Sequence, residues 1–384
     1  MATDGWQTIP LGEALTFQRG FDITREQQRA GPYPVFSSSG PKSTHSEFMV
    51  RGPGVIVGRK GSLGTAFYSD GDYWPHDTTL WVKDFHDNDP KFAYYFLQTM
   101  GFERYDAGAS NPTLNRNHIH TIPVRWPSLP IQRRIAGILS AYDELIENNQ
   151  RRIKILEEMA RSLYREWFVH FRFPGHEKAK MVPCSLGPIP QGWEVNTIQQ
   201  LGQAITGKTP SKANPDFYGG DLPFVKTPDM HGNMFILETG EGLSKAGADS
   251  QASKTIPAGS ICVSCIGTIG VVSLTTADCQ TNQQINSLIL AKEITREYLY
   301  FRLQDLKQKL ENLGSTGATM GNVNKGKFEA IEILLPPDDL LELYHRLVGP
   351  KFSEILNLSR MIQNLRRTRD LLLPRLLSGQ VNVA

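Results

Sequence analysis

The sequence predicts two globular domains of the α/β (α+β) class, each followed by a long helix, with the two helices paired as an antiparallel coiled coil. Two observations predict this fold class. The two halves of the chain carry the same landmarks in the same order, and each half ends in a long segment with helical heptad spacing. Together they indicate a duplicated domain whose copies are joined through their helices.

The composition is typical of an intracellular chain with more than one domain. Its 384 residues are 40% hydrophobic, and 41 Lys and Arg face 39 Asp and Glu, for a net charge of +2. This balance excludes a strongly basic nucleic-acid coat but allows a local basic groove. The N-terminus lacks a signal-peptide layout, no run approaches the roughly 18 apolar residues of a membrane span, and the cysteines do not make a disulfide framework. We therefore expect a cytoplasmic protein without a membrane segment.

Internal repetition is the most informative feature of the sequence. Gly5-Trp6 opens the segment GWQTIPLGEALTF, and Gly192-Trp193 opens GWEVNTIQQLGQAIT. The second pair is PGVIVGRKGSLGTAF from Pro53 with AGSICVSCIGTIGVV from Ala258, and it indicates a strand, a glycine-rich turn and a strand. The third pair is KFAYYFLQTM from Lys91 with REYLYFRLQDL from Arg296, and it indicates a short aromatic helix. The last two pairs are AGASNPTLNRNHIHTIPV from Ala107 with LGSTGATMGNVNKGKFEAIEI from Leu313 (Asn115 on Asn324, Ile122 on Ile331, Val124 on Ile333), and Pro127/Pro130 with Pro336/Pro337.

Each half ends in a segment whose seam residues alternate steps of four and three, as in a coiled coil. The first seam consists of Ile131, Ile135, Ile138, Tyr142, Leu145, Asn149, Arg152, Leu156, Met159 and Leu163. The second consists of Leu341, Tyr344, Val348, Phe352, Ile355, Ser359, Ile362, Leu365, Arg369 and Leu372. Pro130 suits the first turn of its helix, and Pro374 followed by Gly379 is expected to end the other.

Each helix would run for about 35 residues, or roughly 50 Å. Packing the two seams against each other covers both, and copies related by an approximate two-fold axis must then pair antiparallel. The alternative, in which each helix docks on its own domain, stays open. We predict a first domain (1–127), its helix (128–173), a Pro/Gly-rich linker (174–192), a second domain (193–335), and a second helix with tail (336–384).

The stretch GQAITGKT at Gly202–Thr209 matches the phosphate-binding pattern G-x-x-x-x-G-K-[ST]. A working phosphate loop opens a helix, whose N-terminus binds the phosphates, but two prolines within the next six residues forbid that helix here. Aligned on Leu11-Gly12 and Leu201-Gly202, the first copy has Phe17-Gln18-Arg19 in place of Gly207-Lys208-Thr209. We therefore interpret this stretch as a turn with an exposed Lys208.

Neither the cysteines nor the histidines of the first half predict a metal site. Cys262 and Cys265, with Cys279 and Cys184, could suggest zinc, but the first two flank an apolar strand, where buried thiols are commoner than ligands. The first copy has Val57 and Lys60 near those places. The histidines of the first half lack metal-ligand spacing, and His118 and His120 are expected on a strand. We predict no metal site and no catalytic group.

Several of these landmarks resemble the specificity subunit of type I restriction-modification enzymes. They are Gly5-Trp6, Ile189-Pro190-Gln191-Gly192-Trp193, Gly259-Ser260-Ile261 before Gly267-Thr268-Ile269-Gly270, Thr281-Asn282-Gln283-Gln284-Ile285-Asn286 and the proline-led helices. The resemblance covers essentially the whole chain. The first half departs from it, with His76-Asp77-Thr78-Thr79 where the second has the Asn-Gln-Gln run.

The resemblance implies that each globular domain is a target recognition domain for one half of a split sequence in double-stranded DNA. The helices would set the unread gap and dock two copies of a DNA-methyltransferase subunit. That partner would bind S-adenosylmethionine, so no cofactor is expected on this chain, and a restriction subunit would complete the complex. A rod of roughly 50 Å spans about one and a half turns of B-DNA.

Neither recognition domain is basic overall, so a DNA-binding face must be made from few residues. The candidates are groups in loops beside Gly or Pro, which can reach base edges. They are Arg19, Lys42, Arg59, Lys60 and Arg116 in the first domain, and Lys208, Lys212, Lys226, Lys325 and Lys327 in the second. Arg59, in the turn Gly58-Arg59-Lys60-Gly61, is the strongest candidate; each of the others could equally be a solvated surface residue.

Two other functions are weighed against DNA recognition. An enzyme with its own nucleotide or S-adenosylmethionine site is disfavoured by the missing motifs. A non-catalytic interaction scaffold, with two ligand-binding domains on a coiled-coil stalk, remains the alternative.

Overall fold

The computed structural model describes residues 5–105, 113–315 and 321–383. The chain forms two compact units, the first made of Met1–Asn148 with Ile362–Ala384 and the second of Asn149–Met361. The parts of the sequence repeat at 107–112 and 316–320 lie outside the described residues. No helix in the described ranges is long and apolar enough to cross a membrane.

The globular domain of the first unit contains nine strands and three short α-helices among its described residues. The strands are β1 (Trp6–Pro10), β2 (Thr16–Arg19), β3 (Tyr33–Ser37), β4 (Gly40–His45), β5 (Gly54–Gly58), β6 (Ala66–Ser69), β7 (Trp74–Pro75), β8 (Thr79–Asp84) and β9 (Pro123–Pro127). The helices are α1 (Leu11–Ala14), α2 (Pro90–Gln98) and α3 (Arg116–His120). The long helix α4 (Leu129–Tyr164) follows and continues into a π-helical turn, Arg165–Val169.

The second unit repeats this plan with additions. A hairpin of β10 (Met181–Cys184) and β11 (Gly187–Pro190) forms within the Pro/Gly-rich segment. The remaining strands are β12 (Glu194–Thr197), β13 (Gly202–Thr206), β14 (Tyr218–Val225), β15 (Phe235–Ile236), β16 (Gly242–Leu243), β17 (Ile261–Ser264), β18 (Val272–Thr275), β19 (Gln280–Thr281), β20 (Ile285–Leu290) and β21 (Glu332–Leu335). The helices are α5 (Ile198–Leu201), α6 (Thr227–Met230), α7 (Lys245–Asp249), α8 (Arg296–Asp305), α9 (Lys307–Gly314), α10 (Lys325–Glu329) and the long α11 (Asp338–Leu377).

The two globular domains share one sheet topology. The main sheet has the order β2-β8-β5-β6 in the first domain and β13-β20-β17-β18 in the second, where β15 adds a fifth strand. The smaller sheet has the order β4-β3-β7 and β16-β14-β19, with a parallel pair, β3 with β7 and β14 with β19, in each. Strand order and direction agree throughout, which confirms the predicted internal repeat and α/β class.

Strand pairing fixes which residues of the two domains are equivalent. Gly58 pairs with Thr79 and Ser264 pairs with Ile285, so in these strands equivalent residues differ by 206 in number. In the last part of each domain the difference is 209, because Asn115 and Asn324 cap α3 and α10 in the same way. The long helices keep that difference, since α4 begins at residue 129 and α11 at residue 338.

The central strands β5 and β17 are buried on both faces. In β5, Val55 and Val57 pack into the core with α2, while Ile56 faces the smaller sheet. In β17, Val263 joins the core that contains α8, and Cys262 faces the other way. Strands covered on both faces are continuous apolar runs and not alternating ones, as both sequences here show.

The two long helices pack against each other in antiparallel fashion within each unit. In the first unit, Arg134 on α4 donates to the carbonyl of Val383, and Asp143 meets Arg369. In the second unit, Arg152 pairs with Glu354 at 2.7 Å, and Tyr344 donates to the carbonyl of Ala160. Higher numbers on α4 meet lower numbers on α11 in both, as the predicted coiled coil requires.

The predicted seam of α11 is correct, but that of α4 is partly wrong. Every predicted seam residue of α11 is buried or half-buried. On α4, Ile138, Leu145 and Met159 are exposed by 37%, 53% and 51%, and Arg152 is exposed too. The inward-facing positions lie one residue further along, at the buried Leu139, Ile146 and Ala160 and the half-buried Ile153. Helix α4 carries two neighbouring apolar stripes, and heptad spacing alone does not say which one faces the protein.

The predicted end of α11, at Pro374 followed by Gly379, is correct, and one further local prediction is wrong. Helix α11 continues through Pro374 to Leu377 and ends before Gly379, which has φ +73°. A proline removes one helical hydrogen bond, which the packing of Leu376 and Leu377 in the core offsets. His118 and His120 lie on helix α3 and not on a strand, because Asn115 supplies an N-cap.

Candidate nucleic-acid interface

One edge of each main sheet gathers three backbone segments that the sequence keeps far apart. We call it the glycine-loop edge. It comprises residues 20–22, 58–64 and 76–78 in the first domain, and residues 207–209, 264–270 and 282–284 in the second. The loop that follows β5 or β17 lies at its centre.

The glycine loops have the same backbone hydrogen bonds in both domains. The amide of Arg59 donates to the carbonyl of Thr78 at 2.8 Å, and that of Cys265 to Gln284 at 2.7 Å. The carbonyls of Arg59 and Cys265 each accept a backbone amide at 2.9 Å from the segment that leads into α3 or α10. Gly61 and Gly64, like Gly267 and Gly270, have positive φ between 74° and 84°, a conformation that glycine adopts without strain.

A cluster of charges occupies this edge in the first domain. Arg19 pairs with Asp77 at 2.7 Å, and Arg59 donates from Nη1 to the Asp77 carbonyl at 3.5 Å. Burial and the neighbouring Arg19 lower the pKa of Arg59, against the opposing effect of Asp77. The pKa of Asp77 is itself lowered: burial raises it, but the hydrogen bond from Arg19 and the charges of His76, Lys60 and Arg19 outweigh that effect. Thus the structure brings together three of the five predicted residues, Arg19, Arg59 and Lys60.

The other two candidates of this domain lie outside the cluster. Lys42 is an exposed residue of β4 in the smaller sheet. Arg116 is exposed at the first turn of α3; together with burial, the larger effect, it lowers the pKa of His120, whose Nε2 accepts from the amide of Phe17 on β2. Arg116 therefore lies beside the main sheet, near β2.

Asp22, His76 and Asp77 form a group that the sequence analysis missed. Each of these residues offers one ligand atom, and these atoms lie within 4.8 Å of one another. His76 Nδ1 is also 3.0 Å from the hydroxyl of Thr78 and 3.0 Å from Asp77 Oδ1. The Asp77 carboxylate of this group pairs with Arg19 and so balances part of the local positive charge.

The lysines predicted for the second domain are not gathered at its glycine-loop edge. Lys226 pairs with Glu241, Lys325 pairs with Glu329 at 3.4 Å, and Lys327 donates to the carbonyl of Leu313 at 3.0 Å. Lys208 and Lys212 are exposed. Of the five, only Lys208 belongs to the edge as defined.

Neutral amides and hydroxyls take the place of charges at the edge of the second domain. Thr209 Oγ1 is 2.5 Å from Gln283 Oε1, and Asn282 Nδ2 donates to Gln284 Oε1 at 3.0 Å. Gln283 is exposed, Gln284 is half-buried, and the Thr227 hydroxyl lies 3.5 Å from Gln284 Oε1. In the sequence, the run Asn282-Gln283-Gln284 was taken only as a feature of the family resemblance. The same run indicates these polar side chains at the edge.

The geometry at Gly202–Thr209 excludes a phosphate loop. Residues 202–206 form strand β13, and the amides of Gly207 and Lys208 donate to the carbonyls of Ile285 and Thr281 at 3.1 and 2.9 Å. Amides bound to the protein are not available to a phosphate, and no helix begins within the six residues after Thr209 except the three-residue 3₁₀ turn that Asn214 caps.

The alignment predicted at this stretch was wrong by three residues. The amide of Leu11 donates to Ile122, and that of Ile198 to Ile331, so Leu11 is equivalent to Ile198 and not to Leu201. Gly207-Lys208-Thr209 therefore corresponds to Gly20-Phe21-Asp22. Gly12 lies in helix α1 whereas Gly202 opens a strand, so the shared Leu-Gly pair is a coincidence.

The cysteines of the second domain are buried thiols. Burial raises the pKa of Cys262 to about 12 and that of Cys265 to about 11, and it also raises the pKa of Cys279. Zinc binds thiolates, so a protonated, buried thiol is a poor ligand. The equivalents of Cys262 and Cys265 in the first domain are Ile56 and Arg59, one residue before those that the sequence indicated.

Comparison with known proteins identifies the family. The model of the type I restriction modification DNA specificity domain matches residues 3–158 and 190–339. The specificity subunit of the type I restriction enzyme HindI from Haemophilus influenzae is 35% identical over 329 residues, and the match covers 70% of this chain and 71% of that protein. This chain belongs to the type I restriction-modification specificity family.

Other relatives agree with this assignment. The specificity subunit of the type I restriction enzyme MjaIX from Methanocaldococcus jannaschii is 25% identical over 76% of this chain and 69% of its own length. The crystal structure of the S subunit of a type I restriction-modification system from M. genitalium covers 98% of this chain and 97% of its own, with a TM-score of 0.69 at 15% identity, which shows a shared fold. The predicted resemblance is confirmed, and with it a role in DNA recognition as a non-catalytic specificity subunit.

Proposed function

We propose that the glycine-loop edge of each domain reads one half of a bipartite DNA target. The observation that carries this proposal is one backbone frame with different side chains at equivalent positions. Arg59 and Lys60 of the first domain stand where Cys265 and Ile266 stand in the second, and Asp77 stands where Gln283 stands. Two domains of equal shape and unequal chemistry suit two different half-sites.

The chemistry of each edge suits a different mode of contact. Arginine and lysine bind phosphates and the acceptor edge of guanine, whereas Asn and Gln pair with adenine edges in the major groove. On this proposal Arg19, Arg59 and Lys60 form the main contacts of the first domain, and Gln283 and Gln284 join Lys208 in the second. Lys42, Arg116 and Lys212 are assigned to the flanking backbone, and Lys226, Lys325 and Lys327 support loops.

The long helices set the unread gap and dock two methyltransferase subunits, which bind S-adenosylmethionine and methylate the target. Restriction subunits complete the complex, which we place in the cytoplasm. The domain boundaries at residues 127, 173, 192 and 335 are part of the same proposal. Exposed apolar side chains on both helices, among them Ile138 and Leu347 at 37% and 42%, support a docking role.

Arg59→Ala tests the reading edge in the assembled complex. Loss of one arginine that contacts a base or phosphate should weaken specific binding by about 1–3 kcal/mol, or roughly tenfold to a hundredfold. The measurement is DNA affinity at several salt concentrations, together with a map of methylated adenines. A base contact relaxes the sequence preference at one position, whereas a phosphate contact lowers the salt dependence for all sequences.

Lys83→Ala is the matched control, because Lys83 is exposed near the opposite end of strand β8 from the glycine-loop edge. It should bind DNA as the parent does. Equal affinity and equal preference for Arg59→Ala and Lys83→Ala would remove Arg59 from the interface. If the complex bound no DNA at all while the chain still bound a different ligand, the interaction-scaffold alternative would replace this proposal.

A further inference from the structure

The packing of the two helices differs in kind between the units at one equivalent place. In the first unit, Arg369 on α11 donates from Nη1 to Asp143 Oδ1 on α4 at 2.5 Å. The hydroxyl of Tyr95 on α2 donates to the other carboxylate oxygen of Asp143, also at 2.5 Å. The Arg369 and Asp143 side chains are only 28% and 32% exposed. These three residues form a polar triad that joins the domain, its own helix and the partner helix.

The equivalent triad of the second unit is apolar. Equivalent residues differ in number by 206 in the domains and by 209 in the long helices. Phe301 is therefore equivalent to Tyr95, Phe352 to Asp143, and Ala160 to Arg369. The rings of Phe301 and Phe352 are 5.7 Å apart. The exposed fraction is at most 2% for each of Phe301, Phe352 and Ala160. At these three positions the second copy thus lacks the hydroxyl, the carboxylate and the guanidinium of the first.

Apart from the buried Asn149 of α4, whose equivalent on α11 is Leu358, the rest of the seam does not distinguish one helix from the other. On α4 it contains the buried Leu139 and Ile146 and the half-buried Ile153; their equivalents on α11 are Val348, Ile355 and Ile362, and all six are aliphatic. Helices derived from one duplicated segment could therefore also pair like with like, α4 with the α4 of a second copy and α11 with its α11. Apolar contact alone specifies such partners weakly.

Like-with-like pairing would break both triads. When α4 pairs with a second α4, Asp143 faces Ala160 and loses its guanidinium partner. When α11 pairs with a second α11, Arg369 of one copy must take the place of the fully buried Ala160 in the core that also contains Phe301 and Phe352. A half-buried charge without its partner is strongly destabilising, and a long side chain forced into a filled core adds strain.

We propose that the triad Tyr95–Asp143–Arg369 and its apolar counterpart Phe301–Phe352–Ala160 restrict α4 to pairing with α11. They thereby disfavour a dimer of two chains joined by like helices. The partner excluded is a second copy of this chain, and the consequence is that each molecule keeps its two unlike domains on one pair of helices. The inference depends on the fold and not on the residues that contact DNA.

The other ion pair between the helices contributes little to this choice. Arg152 and Glu354 are 52% and 41% exposed, and exposed pairs stabilise weakly because water and salt screen them. Arg152 is nevertheless a useful position. Transferred to an α4–α4 pairing, the contacts Asp143–Arg369 and Arg152–Glu354 place its centre between residues 148 and 152, so the two copies of residue 152 lie close enough for a bismaleimide to join them.

The test makes the first triad like the second, with Tyr95→Phe, Asp143→Phe and Arg369→Ala combined, in a full-length chain that also carries Arg152→Cys and, because Cys184 is a half-buried free thiol, Cys184→Ser. A short bismaleimide then reports like-helix dimers. We expect the yield of cross-linked dimer to be about tenfold higher than for the reference chain, which carries only Arg152→Cys and Cys184→Ser. This increase corresponds to removing one charge mismatch from the like-helix pairing. Circular dichroism confirms that the variant is folded.

Two further chains keep the test decisive. The exchange Asp143→Arg with Arg369→Asp retains a pair that only α4 with α11 can form, so its cross-linking should stay at the level of the reference chain. If the triple variant does not fold, the milder Asp143→Asn with Arg369→Met replaces it, with a smaller rise expected. Unchanged cross-linking in a folded triple or milder variant, or a rise in the exchanged chain, would overturn the proposal.

Discussion

At the scale of single residues, the buried amide of Gln132 shows how the first unit holds the start of α4. Gln132 is 1% exposed, and its side chain donates to Asn88 Oδ1 at 2.6 Å and to the carbonyl of Pro127 at 2.9 Å. Its Oε1 accepts the amide of Asp89, which begins α2. The equivalent residue in the second copy is Leu341, so this connection is particular to the first domain.

Gln132→Leu should destabilise the first unit by about 1–3 kcal/mol, because it leaves the Asp89 amide and the Asn88 side chain buried without these partners. Hydrogen exchange of peptides that cover residues 85–98 measures the effect, and it should accelerate there. Gln150→Leu, at an exposed position of α4, is the control and should leave exchange unchanged. Equal exchange in both variants would contradict the assigned role.

The cysteines give a prediction with a defined pH dependence. The raised pKa of Cys262 and Cys265 favours the neutral thiol in the folded state, so their contribution to stability is complete below the ordinary thiol pKa and is lost as the pH rises toward about 11 to 12. At pH 8, N-ethylmaleimide should modify the half-buried Cys184 first, and Cys262, Cys265 and Cys279 only after unfolding. Mass spectrometry reads the sites; rapid modification of Cys262 in folded protein would refute the assignment.

At the scale of elements, the backbone conformation of the glycine loop at residues 58–64 determines where a side chain fits and which side chains the loop exposes. Gly61 and Gly64 share a positive φ, but a Cβ on Gly64 would lie 2.5 Å from Cβ of Phe102, whereas a Cβ on Gly61 would meet nothing within 4 Å. The loop therefore closes onto the core at Gly64 and presents Arg59 and Lys60 before it.

Gly61→Ala and Gly64→Ala form a matched pair. Both impose left-handed strain of about 1–2 kcal/mol, but only Gly64→Ala also displaces Phe102. We expect Gly64→Ala to lower the unfolding midpoint of the first unit distinctly more than Gly61→Ala. Denaturant unfolding measures the difference, and equal midpoints would show that Phe102 moves aside at little cost.

At the scale of the whole molecule, duplication lets one chain offer two identical partners equivalent surfaces. Ile138 and Leu347 are equivalent and both exposed, by 37% and 42%. The other exposed apolar residues of the helices lack such a match: Ile155 corresponds to Asn364 and Met159 to Thr368. Two copies of one methyltransferase subunit need equivalent contacts, so the first pair is the better candidate.

Ile138→Glu or Leu347→Glu alone should therefore reduce the bound methyltransferase subunits from two to one, and the double variant should remove both, because each change buries a charge in an apolar contact. Light scattering of the purified assembly measures the stoichiometry. Ile155→Glu is the control at a position without an apolar equivalent. Two bound subunits in the double variant would place the docking surface elsewhere.

The sequence by itself determined the duplicated α/β domains, the paired helices and the family, because strand, turn and heptad patterns are local and the repeat is read along the chain. It also indicated Arg19, Arg59 and Lys60 as candidates for DNA contact, since basic residues beside glycine are visible in the sequence; their role stays a prediction.

Only the tertiary structure decided which apolar stripe of α4 is buried, how the halves align near Gly207, and that Lys226, Lys325 and Lys327 are engaged by neighbours. It alone showed Asp143 between Tyr95 and Arg369. Such contacts join residues as far apart as Asp143 and Arg369, which are 226 positions apart, and neither spacing nor composition specifies which distant side chains a fold brings within hydrogen-bond distance.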